Sequence, residues 1–295
     1  MQSSILTAVL LPAALGVIML GLGLSLTVAD FTRVLQYPRA VVVGLSCQML
    51  LLPLVCFAIA RGSGLGPELA VGLMLLAASP GGVVANLYSH LARGDVALNI
   101  TLTAVNSVLT VFTLPLVVNL SLVHFMGEGK VLPLQFVKVV QIFAIVLTPV
   151  AIGMTIRKRS PGLAQRLGRP VKILSALFLV LVIVAAVAQD FRVLVTYFPQ
   201  VGLSALAFNL ASMAVGYFVP LAARLGRQQA IAIGMEIGIH NGTLAIAIAS
   251  SPFLLNNGAM AIPPAIYSLI MLCTAAAFGF AVNLRRAGST ATLPG

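Results

Sequence analysis

Charged residues are scarce in this sequence. Of its 295 residues, 8% are Asp, Glu, Lys or Arg, whereas 60% are hydrophobic, and the mean hydropathy is +1.10. A soluble domain carries roughly 25% charged residues, so this composition excludes a soluble enzyme. Disordered chains are polar and highly charged, so disorder is excluded as well. The class that remains is a polytopic membrane protein.

Cysteine is scarce too, and no basic residue lies near the start of the chain. Cys47, Cys56 and Cys273 fall inside apolar runs without metal-like spacing, so we expect buried free thiols and neither a disulfide framework nor a zinc site. The first basic residue is Arg33. The first apolar run therefore lacks the basic region of a cleaved signal peptide, and we expect it to remain as a span.

Long apolar runs, by contrast, are abundant. About 20 apolar residues cross a bilayer as a helix, and long runs without alternation predict helices rather than barrel strands. Nine such runs predict an all-α polytopic membrane protein with nine transmembrane helices, at 5–28, 40–60, 68–92, 96–123, 134–156, 173–188, 201–223, 229–251 and 265–282.

The basic residues are distributed unevenly between the predicted loops. With the N-terminus outside, 13 of the 17 Lys and Arg residues lie in cytoplasmic segments, three lie outside, and Lys138 lies within the fifth run. Cytoplasmic loops carry such an excess, so we expect a multi-pass protein of the cell's inner (plasma) membrane with a cytoplasmic C-terminus. Basic loops facing anionic lipids also account for the net charge of +11 without a nucleic-acid partner.

Two segments about 160 residues apart resemble each other. Residues 29–38 (ADFTRVLQYP) match 189–199 (QDFRVLVTYFP), and Val-Gly-Leu-Ser follows at 43–46 and again at 201–204. Five predicted spans fit into this separation, and an odd number places the second copy upside down in the membrane. The pattern predicts the inverted-topology repeat common among secondary transporters. The first copy is one span short, which gives a 4+5 arrangement.

The third and eighth runs are interrupted. The third contains 79–82 (SPGG), and the eighth contains 236–242 (EIGIHNG). Proline lacks the helical donor and glycines loosen the backbone, and unwound backbone at bilayer depth is tolerated only inside protein or beside a cavity. Broken helices in corresponding positions of two halves indicate a binding site; a pair of ordinary kinks is the alternative.

One carboxylate lies inside an apolar run. Five of the six acidic residues are near predicted span ends, and only Glu236 is well inside. A charge at that depth costs about 3 kcal/mol or more, so we expect a cation, a proton or a polar partner; a structural carboxyl bonded across helices is the alternative. His240 follows four residues later and would share a face with Glu236 if the helix persisted. Its role, as ligand, proton group or packed side chain, stays open.

Polar side chains form a stripe on the fourth run. The residues recur at helical spacing, and they are Asn99, Thr103, Asn106 and Thr110. Such a stripe either bonds helices together or offers oxygens to a hard cation such as sodium, to which Gln48 of the second run could add one more. A His/Cys cluster, a phosphate loop and a Ser-His-Asp set are all missing, so an enzyme is not expected.

Several motifs resemble the bile acid:sodium symporter family. They are 79–82 (SPGG) with Asn86, 91–98 (LARGDVAL), 19–24 (MLGLGL) and 236–241 (EIGIHN). The resemblance covers nearly the whole chain and is to a nine-helix form that lacks the first helix. It implies a core domain, about 40–123 and 201–282, whose two broken helices cross. It also implies a panel domain, about 5–28, 134–156 and 173–188, which moves against the core to give alternating access.

The resemblance also implies binding residues. A first sodium would use Asn86, Asn99, Thr103 and Glu236, although Ala85 and Asn99 stand where the family has serines. A second would use Gln48, Glu236, the carbonyls of Ile237 and Ile239, and position 240. There, His240 replaces a glutamine and offers nitrogen instead of oxygen, so a second sodium is in doubt. A small organic anion (bile acid, sulfonate or carboxylate) would lie near Gly81, Gly82, Val83 and Asn241.

These expectations lead to a symporter of an organic anion, with sodium as the coupling ion and no other cofactor. Proton coupling through Glu236 and His240 is an alternative, because imidazole titrates near neutrality. An uncoupled facilitator and a non-transporting receptor are two more. The sequence indicates no oligomeric state.

Overall fold

The described part of the chain is built from helices. The computed structural model describes residues 11–82, 84–127, 136–171, 173–174, 177, 191–251 and 254–290. The first helices are α1 (Leu11–Ser25), α2 (Val28–Thr32), α3 (Pro38–Ser46), α4 (Leu52–Gly62), α5 (Pro67–Ala78), α6 (Val84–Leu91) and α7 (Val96–Met126). They are followed by α8 (Phe136–Arg159), α9 (161–171), α10 (Phe191–Ala222), α11 (Arg227–Gly238), α12 (Gly242–Ser250) and α13 (Ile262–Thr290). Within these ranges there is no strand, only one isolated bridge between Gly81 and His240.

Among the residues that the structure describes, four helical segments are long and apolar enough to cross a membrane. They are Pro38–Gly62, Val96–Met126, Phe198–Ala222 and Ala259–Leu284. The predicted all-α class is confirmed for the described residues, whereas the count of nine spans stays a prediction. Most of the sixth predicted run, 173–188, and the first residues of the first run lie outside the described residues.

The two interrupted runs each form a pair of short helices. The third run is α5 and α6, of 12 and 8 residues, and the eighth is α11 and α12, of 12 and 9 residues. Each pair follows a span of 25 residues, Pro38–Gly62 in one case and Phe198–Ala222 in the other. Helix lengths therefore recur along the chain in the same order.

Local sequence accounts for most of these boundaries. Pro67 begins α5, and Pro80, which has no N–H, follows its end. Asp95 caps α7 by accepting a 3.0 Å hydrogen bond from the Leu98 amide. A π-helical turn, Cys47–Leu51, joins α3 to α4 just before Pro53. Proline cannot donate to the carbonyl four residues earlier, and π turns are frequent at functional sites.

Helix α7 is polar inside and apolar outside. Asn99, Thr103, Asn106 and Thr110 are all buried, while Phe112, Leu116 and Leu120 are more than half exposed. A soluble helix has the opposite arrangement, so this one is suited to a bilayer. Cys47 and Cys56 are buried free thiols as expected, but the expectation is wrong for Cys273, which is exposed on α13. An exposed apolar side chain costs little in lipid.

Loop contacts define two ends of the bundle. At one end, the Asp95 amide donates to the Gln228 carbonyl (3.0 Å) and Arg39 donates to the Ala223 carbonyl (3.3 Å). At the other end, Gln200 donates to the Gly64 carbonyl (2.8 Å). The basic loops around Arg39, 93 and 224–227 therefore meet at one end, as the predicted orientation requires. The side of the membrane that this end faces stays a prediction.

Helices α1 and α8 pack with their backbones in direct contact. A Cβ atom added to Gly23 would overlap the carbonyl of Val150, and one added to Gly153 would lie 2.6 Å from the Leu20 carbonyl. Small residues allow this approach, which is how membrane helices associate without a hydrophobic driving force. Glycine is therefore required where α1 and α8 face each other.

We expect Gly23→Ala to lower the melting temperature of the purified protein by several degrees, because the added methyl group must push α8 away. Gly16→Ala is the matched control on α1, since nothing lies within 4 Å of a Cβ there. Alanine is the better helix former by about 0.5–1 kcal/mol, so the control is expected to be neutral or slightly stabilising. Equal effects of the two variants would contradict the close α1–α8 contact.

Candidate functional site

The two broken helices cross at their breaks and complete each other's hydrogen bonds. Gly82 donates from its amide to the Ile239 carbonyl (2.7 Å), and Asn241 donates to the Pro80 carbonyl (2.8 Å). These bonds form the single antiparallel bridge between Gly81 and His240. Unwound backbone at membrane depth must find partners inside the protein, and here each break supplies them to the other. The predicted crossing is thus present.

Glu236 lies in the last turn of α11, against this crossing. The residue is 1% exposed, its Oε2 atom is 2.6 Å from the Thr103 hydroxyl, and Oε1 has no hydrogen-bond partner among the described residues. A Cβ atom at Gly81 would overlap the Glu236 carboxylate. Glycine at position 81 therefore lets the carboxylate lie directly against the break between α5 and α6.

Helices α7 and α11 pair in register around this carboxylate. Asn99 donates from Nδ2 to the Ala232 carbonyl (2.7 Å), one turn before Thr103 meets Glu236. This bond fixes the side-chain amide, and its Oδ1 atom stays buried without a partner in the described part of the chain. On α6, Asn86 Oδ1 is likewise buried and has no partner among the residues described, and Ala85 offers no polar side-chain atom. The Glu236 carboxylate, the Thr103 hydroxyl and the Asn99 amide thus lie where α7 meets α11, and their role as sodium ligands stays a prediction.

Gln48 reaches the same crossing from the π turn. Its Nε2 atom donates to the Ser79 carbonyl (2.9 Å), at the end of α5, and its Oε1 atom has no partner among the described residues. The Ile239 carbonyl already accepts a bond from Gly82. The Ile237 carbonyl lacks its helical donor, because the Asn241 amide bonds to Pro80 instead. The Ile237 carbonyl of the predicted second site therefore makes no bond to the amide four residues later in the chain.

His240 is held on the other side of the break. Helix α11 ends at Gly238, so His240 and Glu236 do not share a helix face. The imidazole Nδ1 atom is 3.0 Å from the Tyr267 hydroxyl, which in turn donates to the Gly238 carbonyl (2.9 Å). His240 Nε2 is buried, and no described residue forms a hydrogen bond with it. Its neighbours thus tie the imidazole to α13.

Two residues that the sequence did not single out complete this arrangement. Asn209 on α10 donates to the Gly238 carbonyl (2.9 Å), as does Tyr267. An amide inside an apolar run is a visible signal for Asn209, whereas nothing in the sequence connects Tyr267 with His240. No group of three or more His, Cys, Asp or Glu side chains among the described residues is arranged to hold a metal ion. The site therefore consists of one carboxylate, that of Glu236, surrounded by uncharged groups that offer oxygen atoms.

A partly open cleft lies next to the crossing, with about 520 Å³ of free space that includes its open mouth. It lies between α1 and α8 on one side and α7 and α12 on the other. Its lining includes Pro80 and Asn241 from the breaks and otherwise consists of apolar and hydroxyl side chains, among them Met19, Leu22, Leu147, Val150, Ser107, Thr110 and Leu244. None of the lining residues is charged. Gly81, Gly82 and Asn241 lie together at the crossing, and of these three predicted residues only Asn241 lines the cleft. Val83 lies outside the described residues.

Helices with apolar outer faces and a buried carboxylate at crossed breaks define a multi-pass α-helical membrane protein. Its sequence matches the sodium bile acid symporter family over residues 4–197. The chain belongs to this family, as the motifs of the sequence predicted, and the family is one of transporters, not of enzymes.

Three similar proteins are also transporters by name. The probable chloroplastic sodium/metabolite cotransporter BASS2 of Oryza sativa subsp. japonica is 28% identical over 263 residues, covering 89% of this chain and 61% of the rice protein. YocS, an uncharacterized sodium-dependent transporter of Bacillus subtilis (strain 168), is 29% identical, with 86% of this chain and 77% of YocS covered. The ileal sodium/bile acid cotransporter of Oryctolagus cuniculus is 22% identical, with 93% and 79% covered. The chain thus spans about six tenths of the rice protein's length.

Proposed function

We propose that this protein is a secondary transporter that carries a small organic anion together with sodium across the plasma membrane. One observation supports this most: Glu236 Oε1 and Asn99 Oδ1 are buried at the crossing without hydrogen-bond partners among the described residues. Leaving a buried polar atom unpaired costs about 1–3 kcal/mol. A bound cation offsets this cost, and loss of the cation imposes it again.

The ligand chemistry favours sodium at one site. Hard cations take oxygen ligands, and Glu236, Thr103, Asn99 and Asn86 offer carboxylate, hydroxyl and amide oxygens. A second site at Gln48, Glu236, Ile237, Ile239 and His240 fits sodium poorly. Its imidazole offers nitrogen, and one ring nitrogen is already paired with Tyr267. We therefore propose one coupling sodium. Proton coupling and uncoupled flux remain the alternatives, and both predict transport that does not depend on sodium.

The proposed architecture is the 4+5 inverted repeat with nine spans, a core and a panel. The recurring helix lengths and the antiparallel pairing of the two breaks support the repeat. Helices α1 and α8 would belong to the panel, and the cleft between them and the core is where substrate would bind. Rocking of the panel against the core would open this cleft to each side in turn.

The cleft suits an anion with an apolar body. Its walls are mostly aliphatic, and no basic side chain lines it. Helix α12 begins at the cleft, where Asn241 caps it by accepting from the Leu244 amide (3.1 Å). A helix N-terminus carries about half a positive charge and attracts anions. The names of the relatives, sodium/metabolite and sodium/bile acid cotransporters, agree with this substrate class.

Sodium binding is tested by thermal unfolding. We expect the purified protein in detergent to melt about 2–4 °C higher in sodium chloride than in choline chloride at equal ionic strength, because a ligand that binds only the folded state stabilises it by mass action. Glu236→Gln is expected to remove this difference, since the neutral amide cannot balance the cation's charge.

Glu68→Gln is the matched control. Glu68 is an exposed carboxylate at the start of α5, bonded to Asn257, and its variant should keep the full sodium response. A wild-type protein that melts equally in both salts would contradict the proposed sodium coupling and favour proton coupling or facilitation.

A further inference from the structure

A second, smaller pocket adjoins the cleft. It has room for about one water-sized group and lies between the π turn, the end of α5 and α7. Its polar lining residues are Gln48, Asn106, Thr110 and Thr113. Thr110 lines the cleft as well, so the two spaces share this residue. We refer to this smaller space as the side pocket.

Two polar atoms of the side pocket have no partner among the described residues. They are Gln48 Oε1 and Asn106 Nδ2, and these two residues are 4% and 1% exposed. Neither belongs to the proposed sodium site at Asn86, Asn99, Thr103 and Glu236, and Gln48 belongs only to the second set, which fits sodium poorly. Both side chains can therefore form one more hydrogen bond, in a space that adjoins the proposed substrate cleft.

Neighbouring bonds fix which atom of each amide is free. Gln48 Nε2 donates to the Ser79 carbonyl, so the oxygen is the free end. Thr110 donates its hydroxyl to Asn106 Oδ1 (3.3 Å), so the nitrogen is the free end. Thr113 donates to the Leu109 carbonyl of its own helix (3.4 Å). The side pocket therefore presents one acceptor and one donor, both neutral.

This pair selects the chemistry of its ligand. A carboxylate has no proton for Gln48 Oε1, and a metal cation or ammonium group would face the N–H dipole of Asn106. A hydroxyl group both donates and accepts, so its chemistry is complementary to both atoms. We propose that the side pocket is a specificity site for a hydroxyl group on the apolar body of the transported anion. This inference rests on the proposed function, which supplies the anion in the neighbouring cleft.

The test compares hexanoate with its 2-, 3-, 4-, 5- and 6-hydroxy derivatives, by calorimetric binding to the purified full-length protein in sodium chloride. We expect at least one hydroxyhexanoate to bind about tenfold more tightly than hexanoate, as expected for hydrogen bonds to otherwise unpaired buried groups. Asn106→Leu should reduce this ratio to about one while leaving the affinity for hexanoate within about twofold.

Thr113→Val is the matched control, because it changes the lining of the same pocket but removes a hydroxyl already bonded to its own helix. It should keep the tenfold ratio. Asn106→Ala serves the same comparison if leucine prevents folding. A pocket that holds only water would give equal affinities for hexanoate and every derivative, and this result would overturn the proposal. So would an unchanged ratio in the Asn106 variants, or no binding of any of the six compounds.

Uptake into proteoliposomes separates this proposal from the proposed function. Sodium-driven uptake of hexanoate without any preference for a hydroxyl group would overturn only the side-pocket proposal. A hydroxyl preference in binding that depends on Asn106, without sodium-driven uptake of any derivative, would overturn only the proposed transport.

Discussion

Gly81→Ala is expected to lower sodium-dependent anion uptake by about 100-fold or more, an effect of at least 2.7 kcal/mol or so. The added Cβ atom would overlap the Glu236 carboxylate. The backbone at position 81 cannot move away, because Gly82 and Pro80 on either side are bonded to Ile239 and Asn241. The carboxylate must therefore leave its position beside Thr103. Uptake into proteoliposomes and the sodium-dependent rise in melting temperature measure this loss.

Gly82→Ala is the matched control, one residue away in the same break. The nearest atoms to a Cβ there are the carbonyl oxygens of His240 and Ile239, at 3.2 and 3.4 Å. A shift of a few tenths of an ångström accommodates it, so we expect at least about a third of wild-type uptake to remain, a loss of less than about 1 kcal/mol.

A compensating variant tests the cause of the Gly81→Ala defect. Aspartate is one methylene shorter than glutamate, so Glu236→Asp should withdraw the carboxylate from the added methyl group. The double variant is expected to lose less unfolding free energy than the two single variants lose together. Such a difference indicates that the two residues are in direct contact. Additive effects, or a Gly81→Ala protein with a normal sodium response, would contradict the contact between the carboxylate and the break.

The sequence was sufficient to predict where the helices break and which carboxylate is buried. Proline and paired glycines interrupt an apolar run for local reasons that any chain obeys, and Glu236 stands out because charge is rare inside such runs. The stripe from Asn99 to Thr110 follows from helical spacing alone. All four of its side chains are buried, as their common face requires. These features depend on residues that are close together in the sequence, and they can therefore be predicted from the sequence pattern alone.

Partners across the fold could not be predicted in this way. Asn99 bonds to a carbonyl 133 residues away, Gln48 to one 31 residues away, and His240 to the hydroxyl of Tyr267. Polar residues in apolar runs indicate that partners exist, but the crossing of helices decides which atoms meet. The same crossing moves His240 away from the face of Glu236, although the spacing of four residues predicts a shared face in an unbroken helix.

His240 bears on the electrical behaviour of transport. If the imidazole leaves only one sodium site, each cycle moves one sodium with one monovalent anion and therefore no net charge. Two sodium ions would move one positive charge. At 100 mV, one charge corresponds to about 2.3 kcal/mol, which changes the accumulation ratio of the anion about 50-fold. Membrane potential thus distinguishes one coupling ion from two.

We expect the wild-type protein in proteoliposomes to accumulate a monovalent anion equally, within about twofold, at zero potential and at an inside-negative potential of about 100 mV set by a potassium gradient with valinomycin. His240→Gln offers an amide oxygen in place of the ring nitrogen at position 240 of the predicted second site, and it is expected to make accumulation rise with the potential. Tyr267→Phe is the control, since it removes the hydroxyl that holds the imidazole but adds no oxygen, and its transport should stay insensitive to potential.

A roughly 50-fold rise in the wild-type protein would mean that two sodium ions are coupled despite His240. Equal accumulation in His240→Gln would mean that the imidazole is not what prevents the second sodium from binding.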